Sequence, residues 1–456
     1  MYWSELIEKF EQQTALIGII GLGNTNLPLT RLFAQAKFKV FGYDVRQALV
    51  EELRGGVSYN ASITSLDLIK LLESGLFHPT ANFEELRDAD VYIICLPTTL
   101  NKERKLDLSY IENAVEALLE IWEPGKLIIV ESIPYPGAID ELFLQPFSKR
   151  GLIPDKDFLL ALSPERVEEI DKKYELSQIP KILGGITPLS SKIATTLYNM
   201  VFDQIIPVSS VLAVELTELL ETSYRLVNTA LINEFDELCQ RLGVSTTEII
   251  TAAKSNPSGF RAFSPGSGRV RDYPPMEFHN KNNLSNYEPR LVGLANEINR
   301  DRSRQLVYRI MEKLNQLGKP LIWAKVLVLG IGEQLEKFGM WDSPSVTLIE
   351  ELMLKGAVVT YSDPNVRQIT LQDGRELQHN HLSRLLLKDT DLVVITIPYS
   401  MFNYQLLTEF EDKVLDVSGV NDTKPEVIKL LREKETTLVY QPLSVSSTAN
   451  AKRNAS

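Results

Sequence analysis

The apolar run Leu16–Ile20 stops at Gly21-Leu22-Gly23, gives way to apolar positions at helical spacing, and resumes in a second run that ends near Asp44. Strand, glycine turn, helix and strand in that order form the opening of a βαβ unit that binds a dinucleotide. The glycines allow a tight turn and close approach to a pyrophosphate, and an acidic residue about 20 positions on accepts ribose hydroxyls. Further buried-strand runs follow at "DVYIICLP" (90–97) and "KLIIVES" (126–132), with helical material between them, which predicts a parallel sheet. From Val211 to Leu242 the pattern becomes one long helix. Leu216, Leu219, Leu220, Val227, Leu231, Ile232, Phe235 and Leu238 recur largely at three- and four-residue spacings, and Gly243 supplies the stop. At 1.5 Å per residue it reaches on the order of 45 Å, enough to link two domains and to form a dimer spine. A second α/β unit starts at "KVLVLGIG" (325–332). Its helix opens with Asp342-Ser343-Pro344, and "AVVTYSDP" and "DLVVITIP" give two more buried strands. The fold class is α/β, two Rossmann-like doubly wound domains joined by a long central helix. The expected boundaries are 1–205, 206–305 and 306–443, with a disordered tail at 444–456.

Composition narrows the function. Apolar residues make up 44% and charged ones 24%, an ordinary balance for globular cores. The net charge of −12 argues against a basic nucleic-acid surface. The N-terminus is charged and amphipathic rather than a signal peptide, and no apolar run approaches the roughly 18 residues of a membrane span. A cytoplasmic location is expected. Only Cys95 and Cys239 are present, too few for a disulfide framework. Four histidines show no ligand grouping beyond His379-x-His381, so no metal is expected.

The motifs "IGLGNTNLPL", "DADVYIICLPTTLNKERKLDLSYI", "VESIPYPGA", "LALSPERV", "IPKILGG", "YRLVNTALINE", "NPSGFRAFSPGSG", "LANEINR" and "VLVLGIG…DSP" follow one another in an order that resembles the UDP-glucose/GDP-mannose dehydrogenase family. The subgroup they are most similar to is the UDP-N-acetylglucosamine 6-dehydrogenases. The resemblance spans nearly the whole chain. It implies an NAD-dependent two-step oxidation of a sugar CH2OH to a carboxylate, a UDP-sugar ligand and a polysaccharide or cell-surface sugar context. It also implies a homodimer through the long helix, or a heteromer with an active dehydrogenase. Gly21, Gly23, Asp44, Pro97 and Thr98 match cofactor-binding positions; Phe260, Arg261, Gly266 and Gly268 match the substrate region, Arg261 with an offset of a couple of residues; Glu165 and Asn228 match catalytic positions.

The departures concentrate on the chemistry. The family's second step needs a cysteine thiolate to capture the aldehyde as a thiohemiacetal. Pro265, Gly266, Gly268 and Pro275 fix the register of its loop, yet the paired glycines become Val270 and Arg271, the histidine becomes Asp272 and the cysteine becomes Tyr273. The family aspartate falls on Glu277, the lysine of the long helix on Glu218, a nearby asparagine on Thr222 and the threonine expected in "ESIPYPG" on Ile133. In the second α/β unit, Gln334 and Trp341 replace a lysine and an arginine. Asn26 stands at the third glycine of the fingerprint, so the turn reads equally as an NAD site of reduced affinity or as a Rossmann turn kept for folding. The preferred reading is a pseudoenzyme that binds a nucleotide-sugar or a partner. An active, single-step oxidoreductase is the alternative, with Glu165 as the acid/base group and Tyr273 a weaker candidate. A third possibility is a new anion site at Arg269 and Arg271.

Overall fold

The computed structural model describes residues 2–23, 26–60, 62–98, 106–132, 134–166, 175–256, 259–263, 265, 289–332, 343–399 and 401–418. It divides into two compact units, one carrying the chain up to Arg225 and the other most of it from Leu226 onward.

The first unit is built on an eight-stranded sheet. Its strands are β1 (Leu16–Ile20), β2 (Lys39–Tyr43), β3 (Phe77–Thr80), β4 (Val91–Ile94), β5 (Lys126–Val130), β6 (Phe158–Leu162), β7 (Lys181–Gly185) and β8 (Ile205–Pro207), in the order β3-β2-β1-β4-β5-β6-β7-β8. The first six run parallel, in the order of a doubly wound dinucleotide fold. β7 reverses, pairing antiparallel with β6 through Ala161 and Gly185, and β8 runs parallel to β7. Strands covered on both faces read as unbroken apolar runs, and β4, β5 and β6 are buried throughout. Alternate side chains then feed two cores. Val91, Ile93, Leu127, Ile129 and Leu159 join Phe10, Phe33 and Phe38 on one face. Tyr92, Ile94, Ile128, Val130 and Leu160 join Phe143 and Phe147 on the other.

Helices α1 (Tyr2–Glu11), α2 (Asn26–Gln35), α3 (Gln47–Arg54), α4 (Ser65–Glu73), α5 (Ser109–Glu120), α6 (Gln145–Lys149) and α7 (Pro188–Tyr198) connect and cover the strands. The N-terminal α1 buries Leu6 and Phe10 and is tied down by Lys9 to Asp90 at 2.7 Å and by the Trp3 indole N–H to the Asp155 carbonyl at 2.6 Å. The long helix α8 spans Val211–Leu242, and Gly243 follows it in the left-handed region at φ 69°.

In the second unit α8 is joined by α9 (Thr246–Lys254) and α10 (Arg290–Gln316). Their contact is polar and buried: Arg302 donates to Asp236 at 2.6 Å, Thr246 to Asp236 at 2.7 Å, Asn233 to Asn299 at 3.0 Å and Asn299 to the Leu226 carbonyl at 3.1 Å. The "LANEINR" and "TALINE" motifs therefore serve the helix packing. A four-stranded parallel sheet follows, in the order β10-β9-β13-β14, from β9 (Lys325–Leu329), β10 (Val358–Ser362), β13 (Leu392–Ile395) and β14 (Val414–Asp416). A hairpin, β11 (Gln368–Thr370) with β12 (Glu376–Gln378), lies between. Helix α11 (Pro344–Leu354) is capped by Ser343, whose Oγ accepts from Val346 N–H and donates to the Ile331 carbonyl at 2.8 Å.

After β12, His379 Nδ1 accepts the backbone N–H of Asp363 at 3.1 Å, and its Nε2 lies 3.3 Å from His381 Nδ1. A ring that accepts at Nδ1 is neutral, and protonation would set one N–H against another. Burial first, and then His381, push the His379 pKa down, against the opposing pull of Asp363. A folded value below the unfolded value of about 6.5 gives stability that is complete above that pH and is lost as pH falls through the folded pKa. Thermal unfolding followed from pH 8 to 5 is expected to show a falling midpoint below about pH 6.5, with a flatter profile in His379→Asn. Identical profiles would show that the imidazole does not titrate with folding.

Candidate cofactor and substrate site

Strand order reverses between β1 and β4, and crevices that take ligands open at such a switch point, beyond the carboxyl ends of the strands. Gly21 sits there at φ +97°, and a Cβ on it would fall 2.4 Å from the Cys95 carbonyl oxygen. Only glycine fits both the dihedral and the approach. Gly23 follows, its N-terminal turn open on that side except for Asn26 Nδ2 at 3.4 Å from a would-be Cβ. Asn26, at the third position of the fingerprint, is accommodated within the turn. Its side chain is buried, and Nδ2 donates to the Gly21 carbonyl at 3.0 Å and the Cys95 carbonyl at 2.8 Å, joining the ends of β1 and β4. The Tyr59 hydroxyl donates to the Leu22 carbonyl from the neighbouring loop.

Asp44 closes the other side of the crevice. Its carboxylate is buried, accepting from Leu22 N–H at 3.0 Å and from Arg46 through N–H at 3.0 Å, Nε at 2.9 Å and Nη2 at 2.9 Å. Burial works against its charge, but the Arg46 bonds outweigh it and hold the carboxyl below the usual aspartate range. Pro97 and Thr98 stand half-buried beyond β4, where Ser132 Oγ donates to the Leu96 carbonyl at 2.6 Å. A glycine turn entering a helix, with an ionised aspartate across from it, fits NAD: backbone N–H groups for the pyrophosphate, a carboxylate for the adenosine ribose.

Glu165 lies beyond β6 in a stretch bound on both sides. Lys181, at the start of β7, is buried and donates to Glu131 Oε2 at 2.8 Å, the Pro164 carbonyl at 2.9 Å and the Ser163 carbonyl at 3.2 Å. Glu131 Oε1 accepts from the Tyr198 hydroxyl at 2.6 Å. Burial, and then the Glu131 carboxylate, push the Tyr198 phenol well above its ordinary value, so it stays a donor. On the far side of Glu165, Arg166 donates to the Pro180 carbonyl at 3.1 Å and pairs with Glu221 of α8. Glu165 N–H donates to the Glu131 carbonyl at 3.3 Å, and a cavity of about 10 Å³ lies among Glu131, Glu165, Arg166 and Lys181. Glu218 is half-buried on the same stretch of α8, with Thr222 buried one turn on and bonded by Arg225 Nη2 at 3.4 Å. Glu215 accepts from Gly137 N–H at 2.7 Å and Ile139 N–H at 3.2 Å, which explains the "YPGA" motif as a helix docking point.

The first unit thus carries Gly21, Gly23, Asp44, Pro97, Thr98, Glu165 and Glu218. Asn228 is half-buried on the part of α8 in the second unit, where Phe260 is exposed and Arg261 lies 6.0 Å from the Phe263 ring centre. Ile133, Gly266, Gly268, Arg269, Arg271, Tyr273, Glu277, Gln334 and Trp341 fall outside the described residues. The second sheet repeats the switch-point device: Gly330 has φ +85°, a Cβ there would lie 2.4 Å from the Ile397 carbonyl, and Asp363 accepts from Ile331 N–H at 2.6 Å.

Residues 15–202 match the NAD-binding domain, and residues 213–301 the central domain, of the UDP-glucose/GDP-mannose dehydrogenase family. The chain belongs to that family. Among its relatives, protein CapL of Staphylococcus aureus is 27% identical over 421 residues, 89% of this chain and 96% of the other. A UDP-N-acetyl-D-glucosamine 6-dehydrogenase of Pseudomonas aeruginosa is 28% identical over 354 residues, 76% of this chain and 82% of the other. A solved UDP-D-ManNAc dehydrogenase from Pyrococcus horikoshii superposes with a TM-score of 0.76 at 25% identity, covering 90% of this chain and 97% of that one. NAD is accordingly the cofactor of this member of the family, as the crevice geometry indicates.

Sequence reading of this nucleotide-sugar dehydrogenase homologue passed over Arg46, Glu131, Lys181 and Tyr198. The one visible signal was a lysine opening an otherwise apolar, glycine-ended strand in "IPKILGG". Removing one partner of a buried ion pair strands the other charge and costs about 3–5 kcal/mol, whereas replacing both by apolar groups is often near neutral. Lys181→Met is expected to lower the urea midpoint by a loss of that order, and Lys181→Met combined with Glu131→Leu to recover most of it. A single variant as stable as the wild type would show that the ammonium carries no such constraint.

Proposed function

We propose that this chain binds NAD and a UDP-sugar within the family architecture and has lost the two-step oxidation. The observation that carries the reading is the state of its thiols: Cys95 and Cys239 are the only cysteines, and both are buried, Cys95 beyond β4 and Cys239 on α8. A thiohemiacetal needs a thiolate exposed to the aldehyde, and an inaccessible thiol in an apolar setting does not supply one. By resemblance the nucleophile position is Tyr273, whose phenol stays protonated near neutral pH. Glu218, in place of the family lysine, adds negative charge to the α8 face where a cation would stabilise a developing oxyanion. When bound, NAD would supply hydride acceptance. The chain's own part would be to hold the pyrophosphate at the Gly21–Gly23 turn, the adenosine ribose at Asp44 and the reacting end near Glu165.

A single oxidation of an alcohol is the second reading. The backbone of Glu165, held through its own N–H and through the bonds at Pro164 and Arg166, favours it, because a general base acts from a fixed position.

For the assembly we infer association through α8. Its Leu216, Leu220, Tyr224, Leu231, Phe235, Leu238 and Leu242 follow one another at intervals of three, four or seven residues and are all 40–69% exposed. A self-complementary apolar stripe of this length suits a second copy of the chain or an active dehydrogenase of the same family.

Two outcomes test these readings. Mixed with NAD and UDP-N-acetylglucosamine or UDP-N-acetylmannosamine, the purified protein is expected to give no absorbance growth at 340 nm while binding NADH saturably. Production of a uronic acid would refute the loss of activity, and production of an aldehyde alone would favour the single-step reading. Light scattering after gel filtration should give a dimer for the isolated protein and a monomer for Leu220→Glu/Leu231→Glu; an unchanged mass in the variant would place the interface elsewhere.

A further inference from the structure

An ionised carboxylate offers about four acceptor positions, and at Asp44 all four are taken from within the chain. Oδ1 accepts from the backbone N–H and Nε of Arg46, and Oδ2 from Leu22 N–H and Arg46 Nη2, all at 2.9–3.0 Å. Two of these donors are architectural, since the Leu22 and Arg46 amides belong to the glycine turn and to the turn after β2. The other two come from one guanidinium fork whose side chain is 54% exposed, against 6% for Asp44. A ribose diol docking on Asp44 needs the positions that the fork holds.

We propose that Arg46 is an intramolecular competitor for the adenosine ribose, so that the cofactor docks on Asp44 only as the fork lets go. The contact rests on the NAD-binding reading of the crevice and adds a regulator of affinity to it. Leu22 N–H keeps Asp44 aimed at the turn after the fork leaves, so the carboxylate remains in place to receive the hydroxyls. The guanidinium swings into solvent, which its exposure allows. The guanidinium side of the pair is half open to water while Asp44 keeps two backbone donors, so removing the fork should matter by a modest factor, about two- to fivefold.

NADH binding, followed by nicotinamide fluorescence, compares the wild type with Arg46→Ala and Arg46→Gln, the second variant standing in if the first does not fold. Thermal unfolding without cofactor checks each protein. The expected result is two- to fivefold tighter NADH binding in both variants. The same tightening is expected by calorimetry for ADP-ribose, which carries the adenosine ribose, and none for nicotinamide mononucleotide, which lacks it. Unchanged NADH binding would overturn the proposal, and weaker binding would overturn it and make Arg46 a cofactor contact instead. Equal tightening for nicotinamide mononucleotide would also overturn it, because the effect would then not act at Asp44. If neither wild type nor variants bind NADH, the cofactor reading falls and takes this inference with it; binding by the wild type without tightening refutes the inference alone.

Discussion

A charged lysine removed from water must have all three of its N–H groups received, and at Lys181 this condition ties the carboxyl ends of β5 and β6 to the amino end of β7. Its acceptors are a carboxylate beyond β5 and two carbonyls beyond β6, reached from the first residue of β7. Tyr198 and Phe202 rings lie 5.9 and 5.5 Å away, adding favourable faces to the cation. Such a pair contributes little net stability compared with apolar packing. What it contributes is geometry, because few arrangements of the segments satisfy every donor at once. Glu165 follows the two carbonyls directly, and Arg166 continues the constraint to Pro180 and to Glu221 on α8. The position of a candidate acid/base group is thus a by-product of satisfying a buried ammonium.

The same accounting governs the cofactor crevice. Close approach of β1 and β4 at Gly21 brings the Gly21 and Cys95 carbonyls together, and two acceptors facing one cleft need a donor between them. Asn26 provides both N–H groups from one nitrogen. A third glycine would leave that space open, so the departure from the fingerprint is a different solution to the same packing problem. In the second unit Asp236 receives Arg302 and Thr246 in a comparable buried arrangement, holding α8, α9 and α10 together.

What could be read from the sequence follows from which forces are local. The strand runs, the glycine turns and the limits of α8 at Val211 and Leu242 depend on periodicity and on φ > 0 positions, both visible along the chain. Asp44 was legible for the same reason, since it closes a strand that the pattern already defines. Its saturation by Arg46 was not, because an aspartate two residues before an arginine reads as surface charge until the turn folds the fork back. Nor was the link from Lys181 to Glu131, 50 residues apart, which only the antiparallel reversal of β7 against β6 creates. The bonding of Asn26 was not legible, because a fingerprint states which residue is usual, whereas the requirement is that two carbonyls be satisfied.

The pattern of retention and loss bears on function. Among the described residues, devices that need several residues to agree are satisfied: the switch-point turn, the Lys181 network, the Glu215 docking of the "YPGA" segment and the α8–α10 contact. By the resemblance read in the sequence, the departing positions would act on the substrate and not on the fold, and Glu218 illustrates how. A half-buried glutamate on α8, four residues before the buried Thr222, can be exchanged with lysine without disturbing the helix, because both are good helix formers with long stems. If the family lysine stands at this position, as the resemblance implies, the exchange reverses the charge it offers to an oxyanion. On the reading proposed above, side chains that leave the fold untouched can change while the costly buried networks stay satisfied, and the chain would then remain folded and ligand-competent, as a binding member of an enzyme family must.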